Sequence, residues 1–262
     1  MGMIGAILGD IAGSQYEFEE CRPKTEIDYK KCELFTDKCV YTDDTILTLA
    51  LKTAVLDRRS FEECYRELAM DYRYVGYGSG FLRWMESKET RPMGSFGNGS
   101  AMRISFLADY YEELEIVQSK AKESAMCTHN HPEGIKGAVA AATCMWMAKH
   151  GKSKQEIYEY AVKEYPASEY EFGVERPLDA YRAVYKFDAS CQRSIPVAIR
   201  CFLESTDYES CLRNAYSLHC DLDSVCCIGG AIAENFYGTT GFDNEVLLKY
   251  YLDDRLLEMV YR

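Results

Sequence analysis

Apolar residues recur at helical spacing along almost the whole chain, and this pattern excludes most sheet-containing folds. One helix face near the N-terminus carries them at positions i, i+3, i+4 and i+7: Ile4, Ile7, Leu8 and Ile11. Strand-like alternation is almost absent, and no regular succession of strands and helices indicates a parallel sheet. The sequence therefore predicts an all-α fold, an orthogonal helical bundle, with residues 1–262 forming one domain.

The same periodicity predicts ten further helices. Their ranges are 45–57, 60–73, 112–126, 134–149, 153–164, 176–187, 194–204, 208–219, 224–237 and 243–261. In the first helix, Gly9 and Gly13 would permit close packing against a neighbour or end the helix. The Gly and Ala residues of 134–149 suit a tightly packed central position.

Charge and composition exclude several classes of function. The chain has 30 Lys and Arg against 42 Asp and Glu, a formal charge of −12, which opposes nucleic-acid and acidic-membrane binding. No run is long and apolar enough to span a bilayer, and the first ten residues lack the basic leader of a signal peptide. The twelve cysteines form no C-x-x-C pair, so we expect reduced, mostly buried thiols in a cytoplasmic protein.

Two acidic clusters are the most unusual feature of the sequence. Thr42-Asp43-Asp44-Thr45 opens an apolar run, where two ionised carboxylates repel each other and lose solvation on burial. Taken alone, it fits an ordinary helix cap somewhat better than a metal site. Asp221-Leu222-Asp223-Ser224 repeats the pattern near the far end of the chain. Because carboxylates and hydroxyls are ligands for Mg²⁺, Mn²⁺ and Ca²⁺, the two clusters together predict one shared cation site.

A glycine-rich loop at 94–100 precedes another helical stretch. No strand comes before it, so it is not the fingerprint of a dinucleotide-binding βαβ unit. Its exposed backbone N–H groups still favour a phosphate or pyrophosphate, with Phe96 stacking on a base or lining a ribose pocket. An ordinary tight turn explains the spacing equally well.

The segment Cys127-Thr128-His129-Asn130-His131-Pro132 holds half of the four histidines. A zinc site is disfavoured, because no second matched ligand pair accompanies it. We expect one histidine to contact a ligand phosphate or sugar hydroxyl while the other caps a helix or packs; a purely structural pair is the alternative.

Five motifs in register resemble the ADP-ribosylglycohydrolases, from the N-terminus to about Gly238. They are Gly9-Asp10-x-x-Gly13 followed by Glu17, Thr42-Asp43-Asp44-Thr45, Gly97-Asn98-Gly99-Ser100-Ala101-Met102-Arg103, Thr128-His129-x-His131-Pro132, and Asp221-x-Asp223-Ser224 before a Gly/Ala-rich helix. The resemblance implies an all-α enzyme with two Mg²⁺ or Mn²⁺ ions that removes ADP-ribose from a modified protein side chain or a small molecule. The sequence carries no signal for an oligomeric state.

The resemblance also implies roles for individual residues. The metal ligands would be Thr42, Asp43, Asp44, Asp221, Asp223 and Ser224. Glu17 would act as general base or acid, with Asp43 or Asp223 as both ligand and proton partner, which suits an oxocarbenium-like transition state. The residues expected to bind or support the ligand are Asp10, Ser95, Phe96, Gly97, Asn98, Gly99, Ser100, Met102, His129 and His131.

The chain departs from the family at one point and leaves two other functions open. His219-Cys220 replaces the two glycines usual before the second acidic cluster, which affects the expected substrate more than the metal site. A non-catalytic, crystallin-like or ADP-ribose-binding relative is one alternative, although all the expected ligands are present. A two-metal phosphoester hydrolase is the other.

Overall fold

The structure, a computed structural model, describes residues 2–17, 28–87 and 91–262. Over these ranges the chain forms helices and no β-strand, which confirms the predicted all-α class. The helices are α1 Gly2–Ser14, α2 Asp43–Asp57, α3 Phe61–Asp71, α4 Ser79–Glu86, α5 Ser105–Tyr110, α6 Leu114–Met126, α7 Pro132–Lys149, α8 Lys154–Glu164, α9 Leu178–Arg182, α10 Cys191–Leu203, α11 Tyr208–Tyr216, α12 Leu222–Tyr237, α13 Asn244–Tyr251 and α14 Asp254–Tyr261.

Two predicted helices were too long. The helix expected over 176–187 is the short α9, which ends in a turn: the amides of Val184 and Tyr185 donate to the Tyr181 carbonyl. Further on, the chain meets the glycine-rich loop, where the Asn98 amide donates to the Ala189 carbonyl at 2.7 Å. The helix expected over 243–261 is two helices, α13 and α14. Leu252 adopts an extended conformation, and the Asp253 side chain caps α14 by accepting from the Leu256 amide.

The closest helix packing joins α1 to α12, as the glycines of the first helix predicted. A Cβ atom on Gly9 would lie 2.2 Å from the Cys226 carbonyl oxygen, and one on Gly13 would lie 2.5 Å from the Cα of Asp223. The two backbones therefore touch without intervening side chains. This contact sets the start of α12, with its acidic cluster, against the end of α1.

Helix α7 occupies the interior predicted for it, packing against α5, α6, α10 and α12. A Cβ atom on Gly137 would lie 2.3 Å from Cys191 Sγ, so a small residue is needed where α7 crosses α10. The N-terminus of α7 lies beside the glycine-rich loop, because Ser100 Oγ donates to the Gly134 carbonyl at 2.7 Å.

Two further sequence predictions concern the membrane and the thiols. Among the helices of the described ranges, none combines the length and apolarity needed to cross a bilayer. The cysteines in these ranges are free, and most are buried, as predicted. Cys21 lies outside the described residues.

We predict that Gly9→Ala destabilises the protein by about 3 kcal/mol or more, because the added methyl group would overlap the backbone of α12. Gly80→Ala is the matched control. Gly80 also lies within a helix, but its nearest neighbour, Met93 Sδ, would be 3.7 Å from the new Cβ, so a gain of about 0.5–1 kcal/mol is expected. Urea denaturation measures both. Equal stability of the two variants would contradict the close contact.

Candidate active site

A cleft of about 730 Å³ opens where α2, α4, the glycine-rich loop and the start of α12 meet. Its size is that of a site for a small molecule or cofactor. Twelve of the residues expected at the site line it: Glu17, Asp43, Asp44, Ser95, Gly97, Asn98, Gly99, Met102, His129, Asp221, Asp223 and Ser224. The structure thus brings both acidic clusters and the loop to one cavity.

Asp10 organises the acidic end of the cleft from behind, without lining it. Its carboxylate is fully buried in α1 and accepts from the backbone amides of Thr42 and Thr45 at 3.0 and 3.1 Å. It also accepts from their hydroxyls, at 2.7 Å from Thr42 and 2.5 Å from Thr45. Asp10 therefore satisfies free N–H groups at the start of α2 and fixes the direction in which that helix enters the cleft.

The carboxylates of the two clusters converge with Glu17. Glu17, Asp221 and Asp223 each offer an oxygen within 4.8 Å of the others, a spacing that can hold a metal ion. Ser224 Oγ donates to Asp44 Oδ1 at 3.3 Å, which joins the start of α12 to the start of α2. Residues separated by about two hundred positions thus form one acidic group.

Two fully buried oxygens of this group have no hydrogen-bond partner within the described ranges. They are Asp44 Oδ2 and Asp223 Oδ1, and both are buried. A buried carboxylate oxygen without a donor is unfavourable unless a cation neutralises it. The donor set, carboxylates with a hydroxyl, suits a hard divalent ion such as Mg²⁺ or Mn²⁺. The residues therefore fit the metal that the sequence predicted.

Burial and mutual repulsion make these carboxylates weak acids. Loss of solvation, then the charges of Asp221 and Asp43, raises the pKa of Glu17 to about 8. Loss of solvation, then Asp10 and Asp221, raises the pKa of Asp43 to about 8. Burial raises the pKa of Asp10 to about 6, although its four hydrogen bonds act in the opposite direction. Burial also raises the pKa values of Asp44 and Asp223 well above the usual aspartate value.

The glycine-rich loop is tied to the acidic group through Asn98. Its side-chain amide donates to Asp221 Oδ2 at 2.7 Å and to Ser194 Oγ at 3.1 Å. The loop backbone is held by residues 189–191: the Cys191 amide donates to the Phe96 carbonyl at 2.9 Å. Asn98 begins a single 3-10 turn that ends at Ser100.

Four residues expected at the site, the ligand-binding Phe96, Ser100 and His131 and the metal ligand Thr42, lie beside the cleft and do not line it. The His131 ring caps α7, with Nδ1 accepting from the Glu133 amide at 3.1 Å, and it packs edge-on against Phe96. Phe96 is 48% exposed and lines a second cavity of about 490 Å³. Ser100 is buried with its hydroxyl bonded to α7, and Thr42 is buried against Asp10.

Sequence reasoning missed the wall of the cleft formed by 76–87 and 91–93. The cavity is lined there by Gly76, Gly78, Gly80, Phe81, Arg83, Trp84, Arg91 and Met93. Glycine at every second position of 76–80 indicated a turn, yet nothing local showed that this turn faces the acidic clusters. Asp43 joins this segment to the first acidic cluster. Its amide donates to the Val75 carbonyl at 2.9 Å, and its Oδ1 lies beside Gly76.

The departure at His219-Cys220 lies outside the cavity lining. Cys220 is fully buried, and its thiol points to the Ala215 carbonyl at 3.6 Å. His219 is half-buried. The larger side chains are therefore accommodated away from the cleft.

Comparison with known proteins identifies the family. The model of the family described as ADP-ribosylglycohydrolase matches residues 1–261. The chain belongs to the ADP-ribosylglycohydrolase family. It is therefore a hydrolase of the glycosidase class.

Curated relatives are similar to the chain in sequence, and a solved structure is similar to it in fold. The chain is 26% identical to human ADP-ribosylhydrolase ARH3, over 90% of this chain and 84% of that protein. It is 25% identical to the Danio rerio protein of the same name, over 90% of this chain and 81% of that one. A solved ADP-ribosylglycohydrolase-related protein complex shares the fold, with a TM-score of 0.72 at 21% identity, covering 98% of this chain and 92% of that chain.

We predict that the cation-free protein becomes less stable as the pH rises from about 5 to about 8. Asp10, Glu17 and Asp43 hold their protons more tightly when folded, so stability falls as pH passes from their unfolded pKa values, about 4, through their raised ones. Mg²⁺ or Mn²⁺ should raise the melting temperature far more at pH 8 than at pH 5.

Thermal melts in chelator, with and without added cation, provide the test. Glu234→Gln is the control, because the pKa of Glu234 is also raised by burial, to about 7, outside the cleft. This variant should show a shallower pH slope with the cation effect intact. A melting temperature that rises over the window would contradict the assignment of these carboxylates.

Proposed function

We propose that the protein is a metal-dependent hydrolase that cleaves the N- or O-glycosidic bond between ADP-ribose and a modified side chain or a small molecule. The observation that carries this proposal is the meeting of three carboxylates, Glu17, Asp221 and Asp223, with a glycine-rich loop in one cleft. Membership of the family and the names of its ARH3 relatives agree with it. The free thiols support the cytoplasmic location that we propose for this reaction.

Two divalent cations would be held between α2 and α12 by Thr42, Asp43, Asp44, Asp221, Asp223 and Ser224. The oxygens Asp44 Oδ2 and Asp223 Oδ1 support this ligand set, since both are buried and lack a hydrogen-bond donor. When bound, the ions supply concentrated positive charge for ribose hydroxyls and act as a Lewis acid. Asp10 would keep the first cluster in place through its hydrogen bonds to Thr42 and Thr45.

Glu17 would transfer the proton during bond cleavage. It is half-buried at the end of α1 and lines the cleft beside Asp221 and Asp223. In the cation-free protein, burial and the charges of the neighbouring carboxylates raise its pKa to about 8. A carboxyl group positioned in this way is the type of residue that serves as general acid or base. A carboxylate beside the anomeric carbon also stabilises the oxocarbenium character that develops as the glycosidic bond breaks.

The loop of residues 95–100 would bind the diphosphate of ADP-ribose, and Phe96 would face the adenosine half. The second cavity supports this arrangement, because it contains Phe96 and shares Ser95, Gly97 and Ala189 with the main cleft. A long ligand can therefore lie across the loop with one end in each cavity. Arg83 and Arg91, on the main cleft, add positive charge for an anionic ligand in an otherwise acidic chain.

We predict that ADP-ribose binds the chelator-treated protein only after Mg²⁺ or Mn²⁺ is added. Asp43→Ala and Asp223→Ala should abolish this binding, because each removes a cation ligand and leaves the remaining carboxylates unneutralised. Calorimetric titration measures it. Asp37→Ala is the control, since Asp37 is exposed and outside the cleft. Full binding of ADP-ribose in chelator would exclude the cation-dependent site.

We predict that Glu17→Gln lowers turnover of an ADP-ribosylated substrate by about 10²- to 10⁴-fold while metal binding is retained. Glu234→Gln is the matched control, because it makes the same change at a buried carboxyl outside the cleft. Product analysis separates the alternatives. Free ADP-ribose supports the glycosidase, AMP or phosphate would indicate a phosphoester hydrolase, and binding without product would indicate a non-catalytic relative.

A further inference from the structure

The His129 ring is buried in the wall of the cleft, with one edge towards the glycine-rich loop. The residue is 6% exposed and lines the cavity. Its Nε2 would lie 3.1 Å from a Cβ atom on Gly99 and 3.6 Å from one on Gly97. Nε2 is therefore a ring atom that faces a ligand held by the loop, and a side chain at position 99 would crowd the ring.

The other ring nitrogen has a defined partner. His129 Nδ1 lies 2.7 Å from the hydroxyl oxygen of Thr128. That oxygen has two lone pairs, and Arg103 Nη2 donates to one of them at 2.8 Å. An arginine donates and never accepts, so the Thr128 hydroxyl keeps its own proton available. The nearest acceptor for that proton is His129 Nδ1.

Further contacts hold Arg103 in place. Because arginine can only donate, the hydrogen bond between Arg103 and Thr128 has one possible direction. It is fully buried, and its Nη2 also donates to the Ser124 carbonyl at 2.9 Å. Its guanidinium lies 4.0 Å from the centre of the Tyr65 ring, an attractive cation–π arrangement. The Tyr65 hydroxyl in turn lies 2.7 Å from Ser124 Oγ.

We propose that Arg103 and Thr128 are positioning residues that fix His129 as the tautomer protonated on Nε2, so that the ring presents a neutral N–H donor to the ligand. The Thr128 hydroxyl donates to Nδ1, which leaves the ring proton on the cleft side. Burial, followed by the positive charge of Arg103, lowers the pKa of His129 well below its usual value. The ring then stays uncharged beside the loop.

This assignment defines what His129 does in the reaction. The donor on Nε2 takes an acceptor oxygen of the ligand, which under the proposed function is a diphosphate or ribose oxygen of ADP-ribose. Because the lone pair of the ring is on Nδ1 and is used by Thr128, His129 does not act as the general base of the cleft. That leaves proton transfer to the carboxylates.

The first test reads the tautomer directly in the full-length protein. With nitrogen-15 in the histidines, NMR at neutral pH should show Nε2 of His129 protonated and Nδ1 unprotonated. His129→Gln identifies which of the four histidine signals belongs to this ring. A proton found on Nδ1, or on both nitrogens, overturns the proposal. The measurement requires no ligand, so its outcome is independent of whether ADP-ribose binds.

The second test uses a matched pair of variants at position 128. Thr128→Val keeps the shape of the side chain and removes the hydroxyl, whereas Thr128→Ser keeps the hydroxyl. We expect Thr128→Val to weaken ADP-ribose binding about fivefold to tenfold, because Nδ1 and Arg103 each lose a partner, and Thr128→Ser to stay within about twofold of the parent. Equal binding by both variants overturns the positioning role. If the parent protein does not bind ADP-ribose, the proposed function is refuted. The NMR result on the His129 tautomer is unaffected by that outcome.

Discussion

Direct backbone contact between α1 and α12 is the constraint on which the cleft depends. Gly9 and Gly13 allow the two helices to meet without side chains between them. As a result, Asp10 and Glu17 at one helix and Asp221 and Asp223 at the other belong to the same acidic region. These residues are far apart in the sequence, and the glycine contact brings them close together in the fold.

The resulting cleft brings several carboxylates together at buried positions. Neutral groups offset part of this charge: Thr42 and Thr45 donate to Asp10, Ser224 donates to Asp44, and Asn98 donates to Asp221. Hydrogen bonds from neutral donors do not replace the hydration that a buried carboxylate loses. The pKa values of Glu17 and Asp43 are raised because part of the negative charge is not offset by these hydrogen bonds. A divalent cation can neutralise this charge.

The sequence predicted the features that are encoded locally and missed those that depend on tertiary contact. Helical periodicity and the adjacent aspartates of 43–44 can be recognised within a few residues. The hydrogen bonds of Asp10 reach partners 32 and 35 residues away, so its support of α2 was not predictable from its neighbours. For the same reason the glycines of 76–80 indicated a turn and not a wall of the cleft, and helix α4 in fact begins among them, at Ser79. The helix expected to reach 187 ends at Arg182, and the chain just beyond the predicted range pairs with the loop, Ser190 with Gly97.

The bond from Asn98 to Asp221 joins the loop to the acidic group through a single side chain. A ligand that moves the loop therefore moves a donor to one of the carboxylates, and a cation that draws on Asp221 pulls on the loop. Binding at two places that share an element is reciprocal: each partner changes the affinity for the other by the same factor. Under the proposed function, Asn98 therefore couples the binding of ADP-ribose at the loop to the binding of a cation at Asp221.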